Sequence, residues 1–338
     1  MGSERGVRTH RVQIEEAGQV SDYQALGRGP VMVPRLGVGA MTWGNPAGLA
    51  RFTPAKLAYG GPASAADEEA AFTTSVAVGV TLFDTAAMYS GGASERRLGE
   101  LAEGSAALIA TKFPPRIRAT DADMPAALQA SLTRLRRRQV DLYQHHFPTR
   151  RVDIARLMGL MADAVESGQV RAVGVSNYSA ARLRLAANVL ADRGIALASN
   201  QVEYSLLHRQ PETNGVLEAC RELGVTLIAY QPLASGALTG KYLSGPRPRG
   251  LRRYTRNFRR AAAETVTPVV AMLREIGARY DQGPAQVALR WLIENPLVLP
   301  IPGAKDGTQA AANAKALTFK LAPEEVDALD AATSAWRE

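Results

Sequence analysis

Four side chains of complementary chemistry stand at or just past the ends of successive apolar runs. Asp84 closes Leu82-Phe83-Asp84, Tyr89 follows five positions on, Lys112 follows Ala110-Thr111, and His146 follows Gln144-His145. A carboxylate and an ammonium brought together from neighbouring runs would pair. Burial alone pushes a lysine toward neutrality, and an adjacent Asp84 would hold Lys112 charged. A charged Lys112 beside Tyr89 favours phenolate and draws that phenol down from its ordinary value of ~10. Such a phenol gives up its proton near neutral pH, as a general acid must. An imidazole beside it can orient or polarise a carbonyl oxygen. The chemistry these four residues could do together is delivery of a proton during reduction of a carbonyl.

The elements that would position them recur along the chain. Strand candidates are Val33–Gly39, Thr81–Asp84, Ala107–Thr111, Val140–His145, Ala172–Val175, Leu197–Gln201, Thr226–Tyr230 and Val298–Ile301. Amphipathic stretches separate most of them, among them Met124–Leu135, Ile154–Val165, Ala180–Leu190 and Thr213–Leu223. Strand and helix in alternation predict an α/β fold with a parallel sheet, and eight units predict closure into a (β/α)8 TIM barrel. An open doubly wound sheet is the rival. Tyr23–Val33, with Gly27-Arg28-Gly29-Pro30 inside it, predicts an N-terminal β-hairpin before the first barrel strand, and Ala322–Ala335 a C-terminal helix outside the barrel. Residues 42–66 and 231–258 are long loops leaving the C-terminal ends of the first and seventh strands, where barrel active sites sit. Trp43 begins the first of them and is the candidate pocket aromatic, with a buried plug as the competing role. The chain divides into a flexible N-terminal tail, residues 1–22, and a single barrel domain, residues 23–338.

Composition narrows the classes. The chain has 338 residues, 46% of them hydrophobic, enough for one large core. One cysteine, Cys220, makes an intrachain disulfide impossible and suits a reducing compartment; its apolar helical surroundings place it in the core. No run of 18 apolar residues predicts a membrane span, and the polar start lacks a signal-peptide core. The expectation is a cytoplasmic protein, with organelle import as the alternative. The formal charge is +8, and the arginines at 134 and 136–138 read as a solvated helix end. Neither this cluster nor the arginine-rich stretch from 247 to 260 is interleaved with stacking aromatics, so nucleic acid is not an expected partner. Gly37-Val38-Gly39-Ala40-Met41-Thr42 has Thr where a dinucleotide fingerprint needs its third glycine, and Gly240-Lys241-Tyr242 lacks the P-loop hydroxyl. The four histidines form no ligand pair on a helix, so no metal is expected.

The residues around the four resemble the aldo-keto reductase superfamily. Gly79-Val80-Thr81-Leu82-Phe83-Asp84-Thr85-Ala86 with Tyr89 and Ser94-Glu95 is similar to its Asp/Tyr block, Ala110-Thr111-Lys112 to its lysine strand, and Val140 through Pro148 to its histidine strand. The resemblance runs on through Gly174-Val175-Ser176-Asn177-Tyr178, Ser199 through Ser205, Ala229 through Tyr242, and Ile301-Pro302-Gly303-Ala304-Lys305. It covers roughly residues 23–335 and is nearest to the pyridoxal-reductase-like and potassium-channel β-subunit-like group.

The resemblance implies a catalytic set of Asp84, Tyr89, Lys112 and His146, a substrate pocket with Trp43, Tyr89, His146 and Phe147, and NADP(H) as cofactor. Ser176, Asn177 and Gln201 match groups that bond the nicotinamide carboxamide, and Tyr230 the aromatic that stacks on the ring; Met41 and Asp84 border the same place. Gln231, Leu233 and Ser235 open the pyrophosphate loop, and Lys241, Tyr254 and Arg256 match lid residues. Gly303, Lys305, Gln309 and Asn313 match the adenosine end, with Lys305 placed for a 2′-phosphate. Four positions and one loop depart from the family pattern: His145 holds a usually aliphatic site, Phe147 stands where Trp is commonest, Gln231 replaces Ser, Ala312 replaces an acid before Asn313, and the first loop is long. The implied activity is reduction of a small-molecule aldehyde or ketone with NADPH; homo-oligomerisation is left open. The alternative is an NADPH-binding regulatory protein of the channel β-subunit type with little turnover.

Overall fold

The computed structural model describes residues 22–45, 64–114, 120–242, 248, 253–254, 256–258 and 260–338, with the side chains of Arg256 and residues 260–263 outside the description. The expected tail therefore lies outside it except for Asp22, as does most of the first long loop and part of the second.

Strands β1 (Tyr23–Ala25) and β2 (Met32–Pro34) form the antiparallel hairpin. The barrel staves are β3 (Val38–Gly39), β4 (Leu82–Asp84), β5 (Leu108–Phe113), β6 (Val140–His145), β7 (Val170–Ser176), β8 (Leu197–Glu203), β9 (Thr226–Tyr230) and β10 (Val298–Pro300), all parallel and hydrogen-bonded in chain order. The ring closes where β3 meets β10: the Gly37 amide donates to the Pro300 carbonyl at 3.0 Å and the Gly39 amide to that of Pro302 at 2.9 Å. A side chain on Gly39 would come within 3.1 Å of the Ile301 carbonyl, so glycine lets the seam close without displacing that backbone.

Helices α1 (Ala65–Ala77), α2 (Ala93–Leu101), α3 (Met124–Leu135), α4 (Ile154–Glu166), α5 (Ala180–Ala191), α6 (Val216–Leu223), α7 (Arg260–Ala278), α8 (Pro284–Glu294) and α9 (Gly307–Ala314) follow the strands, with α10 (Pro323–Ala332) at the C-terminus. Local sequence sets several boundaries. Ser64 and Asp67 form a capping box at α1, and Asp153 accepts from the Arg156 amide at α4. Gly224 ends α6 in a left-handed conformation.

The single expected strand Val33–Gly39 is two. Its first part belongs to the hairpin and only its end to the barrel, because Pro34 has no N–H with which to extend a ladder. Lys112, expected just past its strand, lies inside β5.

Inside the barrel, Leu82, Ala110, Leu142, Ala172, Ala198, Ile228 and Leu299 make an apolar layer continuous with Leu26, Val31 and Val33 of the hairpin. The hairpin thus plugs the N-terminal end. Gly27, at φ 61°, packs so closely on Ala198 that a Cβ would lie 2.6 Å from its carbonyl. Because side chains alternate along a strand, residues two positions beyond this layer on β4 to β7 also point inward. Those are Asp84, Lys112, Gln144 and Gly174, at the C-terminal end.

Candidate active site

Asp84 is the hub of that upper layer. Its side chain is 4% exposed, and one oxygen receives Lys112 Nζ at 2.5 Å while the other accepts from Gln201 Nε2 at 2.8 Å and Gln144 Nε2 at 3.2 Å. Lys112 is fully buried, and Nζ also donates to the Thr85 carbonyl at 2.8 Å. Burial opposes its charge, but Asp84, with a contribution from Tyr89, prevails and holds the ammonium above the ordinary lysine value. Two glutamine amides and a carbonyl complete the polar shell, which is the condition under which a buried ion pair is tolerated. The two glutamines must present nitrogen to Asp84, leaving Gln201 Oε1 for another partner.

Tyr89 is held over this pair by the β4–α2 turn. Ser90, Gly91 and Gly92 follow it in successive left-handed conformations, φ 51°, 63° and 83°. Ser94 Oγ fastens the turn, donating to the Ala40 carbonyl at 2.7 Å and lying 2.7 Å from Thr85 Oγ1. Lys112 Nζ is 3.5 Å from the phenol oxygen and 5.0 Å from the ring centre. His146 presents its ring edge-to-face to Tyr89 at 5.7 Å between centroids and stacks on half-exposed Phe147 at 4.8 Å. Burial, with Lys112 and His145 adding to it, pushes the His146 imidazole down to about 2, so it is neutral. Its Nδ1 is buried and lacks a hydrogen-bond partner among the described residues.

The adjoining staves supply Ser176, Asn177 and Tyr230. Asn177 adopts φ 60°; its Nδ2 reaches the His146 carbonyl at 3.2 Å and Ser176 Oγ at 2.9 Å, and its Oδ1 accepts from Tyr230 at 3.0 Å. Beyond β9, Gln231, Ala234, Ser235 and Gly236 take φ of 52°, 49°, 58° and 93°, and Ser235 Oγ donates to Gln231 Oε1 at 2.9 Å. Ala234, Ser235 and Gly236 are thus successive left-handed residues, a turn of the kind that can form an anion-binding concavity, with the amides of Ala234 and Gly236 bonded to the Gln231 and Leu233 carbonyls. Leu233 precedes this turn, its carbonyl accepting from the amides of Gly236 and Leu238.

The remaining sequence-selected residues divide into groups. Met41 sits half-buried in the turn after β3, next to Ala40, whose amide donates to the Asp84 carbonyl. Gly303, Lys305, Gln309 and Asn313 cluster where β10 leads into α9. There Asn313 Nδ2 donates to the Gly303 carbonyl at 3.2 Å, the Lys305 amide to Gln309 Oε1 at 3.3 Å, and Asp306 caps the helix. Lys241 lies 5.0 Å over the Tyr242 ring, and Tyr254 is exposed with Arg253 against it. The Arg256 side chain lies outside the described residues.

Trp43 is a correction. It does not line the mouth: it is fully buried, 5.9 Å from Phe83 between ring centres, with Nε1 donating to the Ala304 carbonyl at 2.8 Å. A large indole whose N–H finds a buried acceptor is more stable inside, and here it locks the first loop to the closing seam. In the arginine cluster Arg136 and Arg138 are exposed as expected, while Arg134, 24% exposed, reaches buried Glu95 at 2.6 Å, and Glu95 accepts from Thr111, the neighbour of Lys112, at 2.6 Å.

Gln144 was missed by motif reading. The available signal was parity: it lies on β6 two residues before His146, which follows the strand, and pairs in register with Lys112. Ser199 Oγ, 3.4 Å from Gln144 Oε1, was missed because it enters through a register shift at Val173/Gly174. Gly174 leaves room for that side chain, since a Cβ there would lie 2.3 Å from Ser199 Oγ.

A closed parallel barrel with an Asp–Lys–Tyr–His group at its C-terminal mouth defines a class of protein, and comparison agrees. The model of the Aldo/keto reductase family matches residues 35–334, and the chain belongs to that family. It is 35% identical over 324 residues to the chloroplastic pyridoxal reductase of Arabidopsis thaliana, covering 90% of this chain and 84% of that one. It is 32% identical over 285 residues to the aldo-keto reductase yakc [NADP(+)] of Schizosaccharomyces pombe, covering 79% and 82%. Among solved structures it resembles the thermostable aldo-keto reductase Tm1743 in complex with the inhibitor epalrestat, with TM-score 0.70 and 29% identity over 92% of this chain and 99% of that one. Carbonyl oxidoreduction is accordingly the general activity of the chain.

Proposed function

We propose that the chain reduces an aldehyde or ketone to an alcohol with NADPH, Tyr89 being the proton donor. The observation that carries this reading is the placement of Lys112 Nζ between Asp84, at 2.5 Å, and the Tyr89 oxygen, at 3.5 Å. A buried cation at that distance stabilises the phenolate left when Tyr89 gives its proton to the carbonyl oxygen. Asp84 keeps the cation in place, and neutral His146 serves as a hydrogen-bonding guide for the substrate oxygen rather than as an acid. Nucleotide and substrate alignment is the protein's larger contribution to the rate.

The cofactor fits three features. The unpartnered His146 Nδ1 and Gln201 Oε1 lie at the barrel mouth, the left-handed run at 234–236 suits phosphate oxygens, and Lys305 stands at the α9 end. When bound, NADPH supplies the hydride. Ser176, Asn177 and Gln201 would hold its carboxamide, Tyr230 its ring, and Lys305 its 2′-phosphate. The fission-yeast relative, named for NADP(+), favours the same cofactor.

The test is Tyr89→Phe assayed on a panel of aldehydes and ketones. A fall in kcat of about 10²- to 10⁴-fold with unchanged NADPH affinity is expected from loss of a general acid. Retention of the wild-type rate eliminates the proton-donor role. Lys305→Met tests the cofactor: the NADPH KM rises about tenfold or more while the NADH KM stays put, as loss of a charge-assisted bond predicts.

A further inference from the structure

The histidine next to the mouth, His145, faces away from it. It is 1% exposed, lies 5.8 Å from Phe113 between ring centres, and its Nδ1 is 2.7 Å from the Tyr178 hydroxyl. Tyr178 follows Asn177 directly and is itself 1% exposed. Its backbone is gripped on both sides by Asn200, whose Nδ2 donates to the Tyr178 carbonyl at 3.1 Å and whose Oδ1 accepts from its amide at 3.4 Å. The segment is therefore tied to β8 through its backbone and to β6 through its hydroxyl.

This tether bears on a turn residue. Asn177 holds φ 60°, in the left-handed region that asparagine adopts more readily than other non-glycine residues. Its side chain must point at the mouth, between the His146 carbonyl and Tyr230. An aliphatic residue at 145 would fill the space but leave the Tyr178 hydroxyl without this bond. Burial pushes the His145 imidazole down to about 4, so the bond is one between neutral groups.

We propose that His145 is a positioning residue for cofactor binding: through Tyr178 it fixes the turn that aims Ser176 and Asn177 at the nicotinamide carboxamide. The proposal rests on the cofactor reading given above. It makes the histidine pair a division of labour, with His146 facing the substrate and His145 holding the nucleotide-binding turn from behind. An asparagine at 145 would place its δ-atoms where Nδ1 now stands and preserve the bond.

The experiment compares two probes, NADPH and 2′,5′-ADP, the second lacking the nicotinamide, by fluorescence titration of purified full-length variants. His145→Leu and Tyr178→Phe are each expected to weaken NADPH about 5- to 50-fold, the range for losing a buried hydrogen bond, and to leave 2′,5′-ADP unchanged. His145→Asn is expected to restore NADPH affinity, and Tyr178→Phe to add little in the His145→Leu background. Unchanged NADPH affinity in His145→Leu, or equal weakening of both probes, overturns the proposal, the latter marking general damage to the fold. Asn177→Ala is the control. If that variant binds NADPH as the wild type does, the cofactor reading fails and takes the proposal with it. If Asn177→Ala loses NADPH while His145→Leu does not, only the proposal falls.

Discussion

At the scale of single residues, burial decides what each titratable group can do. Lys112 keeps its charge because Asp84 is its partner; remove one and the other is stranded. Lys112→Met is expected to lower the unfolding free energy by about 3–5 kcal/mol, the cost of leaving a buried carboxylate unpaired. Urea titration checks this, and the double variant Asp84→Asn/Lys112→Met should recover part of the loss. His145 and His146 have no such partner and are pushed down to about 4 and about 2 by burial. The unfolded chain takes up both protons near pH ~6.5 and the folded chain does not. Their contribution to stability is thus complete above that pH. It is lost as pH falls, through about 4 for His145 and lower for His146. Each imidazole steepens the fall by up to ~1.4 kcal/mol per pH unit. His145→Asn should flatten the slope of urea stability between pH 6 and 5 by nearly one proton; an unaltered slope would mean that His145 is already protonated when folded.

At the scale of elements, strand type and order were legible because apolar runs and amphipathic stretches alternate, and Met124–Leu135 was marked to the residue by its 3.6-residue period. What the pattern hid was where runs are cut. Val33–Gly39 reads as one strand, yet the chain turns from plug to stave after Pro34. The Arg134 environment was hidden for a different reason. A run of arginines looks solvated unless one knows that α2 and α3 lie side by side, with Glu95 buried between Arg134 and Thr111. This group braces the Tyr89 turn, since Arg134 also lies against Gly92, where a Cβ would come within 2.8 Å of its Cδ. Glu95→Gln should therefore reduce stability by about 3 kcal/mol, as breaking a buried ion pair does, and reduce kcat more than it raises the NADPH KM. A stability loss with kcat untouched would confine Glu95 to the fold.

At the scale of the molecule, the C-terminal segment is joined to the barrel through Arg209, whose side chain is 2% exposed. Its guanidinium engages Glu212 at 2.7 Å and Asp330 at 2.9 Å, donates to Thr333 at 2.8 Å, and lies 5.0 Å over Trp291. Lysine could not supply this many-sided planar contact. Arg209→Met is expected to cost about 2–4 kcal/mol and to expose α10 and the residues after it to carboxypeptidase before the barrel unfolds. Simultaneous loss of barrel and tail in a proteolysis time course would show that the two are not separable.

The sequence by itself determined the class of fold and singled out the four residues that meet at the mouth, because strand period, glycine and proline punctuation and motif spacing are local properties of the chain. It also carried the hairpin, through Gly27-Arg28-Gly29-Pro30, and the buried place of Cys220. Tertiary structure alone decided the partners. Gln144, Ser199 and Glu95 join the site because strands far apart in sequence fall into register and because Gly174 leaves room for the Ser199 side chain. Trp43 points into the core rather than the mouth because the closing seam offers its N–H the Ala304 carbonyl. Contacts of this kind depend on side-chain direction and distance across the barrel, which no single segment of the chain encodes.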